Sequence, residues 1–229
     1  MAHRYAIYFS PPTASALGDL GASWLGRTIE GQDLAPPALA DIAFENWESA
    51  IAAPRQYGFH ATLKPPFRLV EGFSEGDLLA EVRTYCATTS PVFLGQLGVA
   101  KVSDFMGLRP ERHEAVARLA ADIVRTFDVF RAPLTPDETG RRRPGLLSPA
   151  QLVLLDSWGY PYVMGEFRFH MTLTGRLSPE DRERYRTELE KRFVPEKIGA
   201  LTVDDLCVFR QESPDSDLTL LHRFALPQV

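Results

Sequence analysis

Two short stretches of this chain carry residues able to do chemistry together: Phe59-His60-Ala61-Thr62-Leu63 and Phe169-His170-Met171-Thr172-Leu173, both of the form F-H-x-T-L. Side chains on a β-strand alternate between faces, so a His and a Thr two positions apart point the same way. The first stretch continues on that face with Lys64; the second is preceded by Arg168 and followed by Thr174. The other parity is apolar, with Phe59, Ala61 and Leu63 in one copy and Phe167, Phe169, Met171 and Leu173 in the other. Each strand is therefore expected to anchor a greasy face and present imidazole, hydroxyl and cation on the opposite one. Imidazole titrates near about 6.5, so one ring can take a proton while the other gives one. Threonine hydroxyls can donate to non-bridging phosphate oxygens, and Lys64 and Arg168 would neutralise charge gathering there in the transition state. This is equipment for phosphoryl chemistry. A single His-x-Thr is commonplace and often lies on the wet face of a sheet; its duplication inside matching frames is what carries the reading. The sequence offers no carboxylate cluster or His-rich spacing for a metal, so the expected mechanism is metal-independent and uses no cofactor.

Around the motifs, Arg55 and Tyr57 are candidates to contact a ribose or a second phosphate, against packing and surface roles. The run Arg141-Arg142-Arg143, Arg141 and Arg143 foremost, is a candidate to clamp a terminal phosphate, although charge runs usually sit in solvent. Tyr160 and Tyr162, flanking Pro161, are candidates for a cleft wall or for core.

The elements that must position these residues can be read in order. Arg4 to Phe9 is an opening strand. Ser10-Pro11 reads as N-cap and first-turn proline of a helix carrying Leu17, Leu20 and Trp24. Residues 31–56 hold three prolines and read mostly as loop around a short helix near Leu39 to Phe44. The first motif strand, Phe59 to Lys64, is expected to stop at Pro65-Pro66. A helix capped by Ser74 follows, then strands at Val92 to Val102 and Phe105 to Arg109. Ala115, Val116, Leu119, Ala120, Ile123, Val124 and Phe127 recur at helical spacing across Glu111 to Asp128. Ala132 to Leu147 turns polar and reads as a mobile loop, ended by the capping box Ser148-Pro149-Ala150-Gln151 of a helix to about Trp158. The second motif strand is expected over Phe167 to Thr174, a helix after Ser178-Pro179, and strands at Leu201 to Gln211 and Leu218 to Leu226. The order implies two βα-rich halves, each around one His-x-Thr strand, with no linker between them. An α+β protein with antiparallel sheets, one domain over residues 1–229 arising by internal duplication, is expected.

Composition narrows the function classes. The chain has 229 residues, 45% hydrophobic and 24% charged, so disorder is not the default for any long stretch. A formal net charge of -5 argues against a nucleic-acid partner or an anionic membrane, each of which selects a basic surface. A small phosphorylated sugar or nucleotide in a locally basic cleft remains compatible. Neither a bilayer-spanning run nor a signal-peptide pattern is visible, and Cys86 and Cys207 match no zinc or disulfide spacing, so a cytoplasmic setting is expected.

The paired motif resembles the two-histidine (2H) phosphoesterase superfamily. R-Y-A-I-Y-F-S-P-P at Arg4 to Pro12, Y-G-F-H-A-T-L-K-P-P-F at Tyr57 to Phe67 and W-G-Y-P-Y-V-M-G-E-F-R-F-H-M-T-L-T-G at Trp158 to Gly175 look like one subfamily, encoded among bacterial phosphonate-utilisation genes. The resemblance implies a bilobal, pseudo-twofold fold whose antiparallel sheets line a central cleft, with His60, Thr62, His170 and Thr172 as catalytic residues. It also implies hydrolysis of a cyclic phosphodiester, and the phosphonate setting points to a phosphoribosyl 1,2-cyclic phosphate. Two alternatives stand beside it: a 2′,3′-cyclic phosphodiesterase acting on RNA ends or nucleotides, and a non-catalytic phosphosugar or nucleotide sensor. Which histidine is the base is open at this level.

Overall fold

The computed structural model describes residues 3–142, 145 and 147–227. Two four-stranded antiparallel sheets, flanked by helices, form an α+β architecture. The first sheet has the order β2-β1-β7-β8, from β1 (Arg4–Phe9), β2 (Ala61–Arg68), β7 (Asp205–Gln211) and β8 (Leu218–Ala225). The second has the order β5-β4-β3-β6, from β3 (Val92–Val102), β4 (Phe105–Pro110), β5 (Met171–Thr172) and β6 (Ala200–Val203). Each motif strand, β2 or β5, lies at the edge of its own sheet, and the two edges touch. Placing the reactive strands at facing edges lets both sheets offer side chains to one space.

The inner faces are apolar as the alternation requires. Phe59, Ala61 and Leu63 of the first motif and Phe167, Phe169, Met171 and Leu173 of the second are all buried, in one cluster with Trp24, Leu78, Leu108 and Ile123. Each large side chain so buried contributes roughly 1.5–3 kcal/mol, which fixes the register of its strand. Helix α1 (Ala16–Leu25) touches both motifs. Its Trp24 Nε1 donates to the Leu173 carbonyl at 2.7 Å, and a Cβ at its Gly21 would fall 2.0 Å from the Phe59 ring. Cys86 and Cys207 are buried free thiols.

Several boundaries differ from the sequence reading, each for a local reason. Helix α1 begins after Ser15, whose hydroxyl caps Gly18, while Ser10 donates to the Phe59 carbonyl at 2.7 Å and ties β1 to the first motif. The stretch read as loop holds α2 (Phe44–Tyr57), despite Pro54 inside it and no side-chain cap at Ala43. β2 runs through Pro65-Pro66 to Arg68, because an edge strand has positions whose N–H needs no ladder partner. The expected mobile loop contains α5 (Pro136–Arg141), started by a Thr135–Glu138 capping box. The second motif strand is only two residues long, since β4 pairs with it through Gly107 and Leu108 alone. The close approach at Gly107 excludes a side chain: a Cβ there would lie 2.8 Å from the Met171 carbonyl oxygen. Helices α3 (Glu75–Cys86), α4 (Glu114–Thr126), α6 (Pro149–Trp158) and α7 (Pro179–Arg192) fall where periodicity and caps put them, and a short α8 (Pro195–Ile198) precedes β6. Among the described residues, no helix is long and apolar enough to cross a membrane.

Candidate active site

Between the two sheet edges lies a cavity of about 710 Å³ lined by His60, Thr62, His170 and Thr172 together. Each imidazole is held by the backbone immediately before it. His60 Nδ1 lies 2.8 Å from the Gly58 carbonyl and His170 Nδ1 2.7 Å from the Arg168 carbonyl. A carbonyl only accepts, so both rings carry a proton on Nδ1 and, when neutral, have Nε2 as the acceptor. Gly58 has φ of 72°, a left-handed conformation that glycine adopts without strain, and the turn there aims its carbonyl at His60. The device is the same at both sites although the flanking sequences differ.

The rings differ in what surrounds them. His60 stacks on Tyr8 at 3.9 Å between centroids and 23° between planes, and its Nε2 is 3.1 Å from the Thr62 hydroxyl, which donates to it. Burial, reinforced by charge on His170, pushes His60 down to about 4. His170 lies beside Phe105 at 5.5 Å, and burial lowers it too, helped by Arg109. Thr174 also borders the cavity, but its hydroxyl accepts from the Met106 N–H at 3.0 Å and binds the motif to β4.

Of the other sequence candidates, Tyr57, Tyr160, Tyr162 and Arg141 line the cavity. Lys64 does not. Tyr8 pairs with Thr62 but Ile7 pairs with Lys64, so one extra residue bulges out of β2 and reverses its parity. Lys64 therefore enters the core, where Nζ donates to the Val124 carbonyl at 3.2 Å and pairs with Asp128 at 3.3 Å. Burial brings its pKa down to about 8. The Arg168 side chain is exposed and folds back onto the Gly165 and Phe167 carbonyls at 2.9 and 2.6 Å, so only its backbone serves the site. Arg55 pairs with Asp33, off the cavity. Arg143 lies outside the described residues.

Arg142, from the arginine run, lines the cavity as well, and residues the sequence did not single out extend the wall: Arg4, Tyr8, Phe105 and Arg176. Arg4 and Tyr8 share a face of β1 by alternation, a signal present in the sequence but mute until β1 is known to lie beside β2. Among the described residues the cavity is lined by four arginines, Arg4, Arg141, Arg142 and Arg176, against the carboxylates of Glu138 and Asp215. The site is thus locally basic on a chain of net charge -5. No group of three or more His, Cys, Asp or Glu able to hold a metal ion occurs among the described residues.

With this geometry established, the chain can be set among known proteins. It belongs to the family described as "Protein of unknown function (DUF1045)", which it matches over residues 62–219. It is 39% identical over 220 residues to ribose 1,5-bisphosphate phosphokinase PhnN of Janthinobacterium sp. (strain Marseille), covering 92% of this chain and 48% of that protein. To the protein of the same name from Laribacter hongkongensis (strain HLHK9) it is 39% identical over 183 residues, covering 78% and 41%. The chain spans about half the length of these curated relatives or less. Among solved structures, E. coli LigT complexed with 3′-AMP aligns over 100% of both chains at 14% identity with a TM-score of 0.43.

Proposed function

We propose that this protein is a phosphoesterase that opens a ribosyl 1,2-cyclic phosphate bearing a 5-phosphate, within phosphonate degradation. The observation that carries the reading is the pair of imidazoles lining one cavity together with Thr62 and Thr172, each ring fixed through Nδ1 to a backbone carbonyl so that Nε2 is its acceptor nitrogen. His60 is assigned as the base, because burial and the charge of His170 both hold it neutral. His170, in its protonated form, is the acid. The His60 Nε2 removes a proton from water as the water oxygen bonds to phosphorus. The bond from phosphorus to the sugar O2 breaks, and His170 delivers its proton to that oxygen. Thr62 moves its hydroxyl from His60 to a non-bridging phosphate oxygen, and Thr172 holds another. One water is consumed, and both histidines exchange their proton states, to be reset through solvent.

The relatives' printed name supplies the regiochemistry. Breaking the O2 bond leaves phosphate on C1, and with a phosphate already on C5 the product is a ribose 1,5-bisphosphate. A kinase for that compound is what the longer relatives are called. Leaving the phosphate on C2 would give such a kinase nothing to use.

The test compares kcat/KM for the cyclic sugar with its 5-phosphate, the same sugar without it, and a nucleoside 2′,3′-cyclic phosphate, in one buffer. The 5-phosphorylated sugar is expected to exceed the other two by about ten-fold or more, the worth of a charge-assisted hydrogen bond. Faster turnover of the nucleoside would instead make RNA ends or nucleotides the substrate.

A further inference from the structure

We propose that Arg4 and Arg142 form a second anion site inside the same cavity, one that takes a terminal phosphate monoester of the substrate. The identity of the sugar rests on the reading above; the anion site stands on geometry of its own.

Both guanidinium groups are held by neutral partners. Arg4 donates to the side-chain oxygen of Gln211, through Nε at 2.7 Å and again through Nη2. Arg142 donates through Nη1 to the Gly159 carbonyl and through Nη2 to the Pro66 carbonyl, and lies over the Tyr160 ring at 5.7 Å. Neither forms an ion pair with a described residue. Each guanidinium has five N–H donors, so both retain donors for a phosphate, in the forked geometry that suits its oxygens. Arg142 is half-buried, and burial lowers its pKa, opposed by Tyr160 and Glu138 and added to by the Arg4 charge. Two like charges facing one half-buried cavity favour an anion between them.

The Glu138 charge offsets part of the positive charge at Arg142, but its carboxylate is clamped by Arg68 at 3.1 and 3.0 Å and accepts from the Thr135 N–H, so it forms no ion pair with Arg4 or Arg142, and Asp215 is exposed. Arg141 and Arg176 are also exposed and add only a diffuse field. The arginine pair is joined to the reaction centre through Tyr8, whose ring stacks on His60 and whose phenol feels the charges of both Arg4 and Arg142. His60, Tyr8 and the arginines thus make one continuous wall, with a basic group at each end for a molecule carrying two phosphates.

Binding can be measured without turnover, by calorimetric titration of the full chain with ribose 5-phosphate and with ribose. The wild type is expected to bind ribose 5-phosphate more tightly than ribose. Arg4→Gln and Arg142→Gln should each weaken ribose 5-phosphate binding about ten-fold or more. His60→Ala and His170→Ala should bind it like wild type. Arg142 also ties two backbone segments together; should Arg142→Gln fail to fold, Arg4→Gln alone decides. Equal affinity for ribose and ribose 5-phosphate in the wild type would overturn the site, as would undiminished binding in Arg4→Gln. Loss of binding in the histidine variants would place the monoester in the reaction centre and overturn it too. Arginine-dependent binding in a protein that opens no cyclic phosphate would uphold the anion site and refute the phosphoesterase reading, so the two can fail separately.

Discussion

The two F-H-x-T-L stretches are close to identical as sequences, yet the molecule treats them differently. The first sits on an eight-residue strand, its imidazole covered by Tyr8 and with Tyr57 on the flank at 6.1 Å. The second has a two-residue strand, and among the described aromatic rings its imidazole meets that of Phe105, tilted rather than stacked. Both rings are oriented by the same bond from Nδ1 to the carbonyl two residues earlier. Orientation is thus a property of the motif itself, while proton affinity is set by what packs around it. Two equal rings sharing one proton could take the roles either way; on the proposed mechanism the stacked Tyr8 ring biases His60 toward the base.

The largest test of that division removes each ring in turn. His60→Ala and His170→Ala are each expected to lower kcat by ~10²–10⁴-fold, with thermal unfolding little changed because both rings are half-buried at a cavity wall. Near-wild-type turnover by either variant would end the acid–base assignment.

A smaller effect concerns the cover itself. On the proposed mechanism the productive free protein carries one proton on the pair. Both rings are lowered, so kcat/KM should rise as pH drops below the ordinary imidazole range and His170 becomes charged. It should fall again only as His60 protonates near about 4. Tyr8→Ala admits water to His60 and should lift that acid limb by about one unit toward 6.5. Tyr8→Phe, which keeps the stacked ring, should leave it in place. Identical limbs in all three proteins would show that burial under Tyr8 does not set the His60 pKa.

The smallest effects belong to the two cations that strand parity assigned to the phosphate. Lys64→Met should leave kcat/KM within about two-fold and lower stability by about 1 kcal/mol through the lost bond to Val124, since Asp128 keeps its Arg131 partner at 2.7 Å. The sign with pH is fixed: a lysine whose folded pKa is about 8 binds fewer protons than the unfolded chain above that value. Its charge therefore disfavours folding less as pH rises from 8 toward 10.5, and the wild type gains on Lys64→Met over that window. Arg168→Ala should likewise change KM by less than about two-fold. A ten-fold loss of kcat/KM in either variant would return that cation to the site.

Much of this was legible in the sequence because local rules governed it. The apolar alternation of Phe167, Phe169, Met171 and Leu173 predicts which way His170 faces, and the Ser74 and Ser148 caps start their helices as read. What escaped depended on partners. The bulge that turns Lys64 inward exists only in the pairing of β2 with β1. Pro65-Pro66 reads as a stop unless the strand is known to be an edge. Arg4 and Tyr8 become site residues only because β1 lies between β2 and β7. Helix α2, with a proline inside and no cap, is held by burial of Trp47 and Ile51 in the common core rather than by signals of its own.

The central claim, that the paired histidines open a 1,2-cyclic phosphate toward C1, is tested most directly by phosphorus NMR of the 5-phosphorylated cyclic ribosyl substrate incubated with wild type, His60→Ala and His170→Ala. The account predicts that the wild type converts the cyclic resonance into a single new monoester on C1, beside the unchanged 5-phosphate, while both variants leave the cyclic resonance standing over the same interval. A C2 monoester, or equal conversion by either variant, would contradict it.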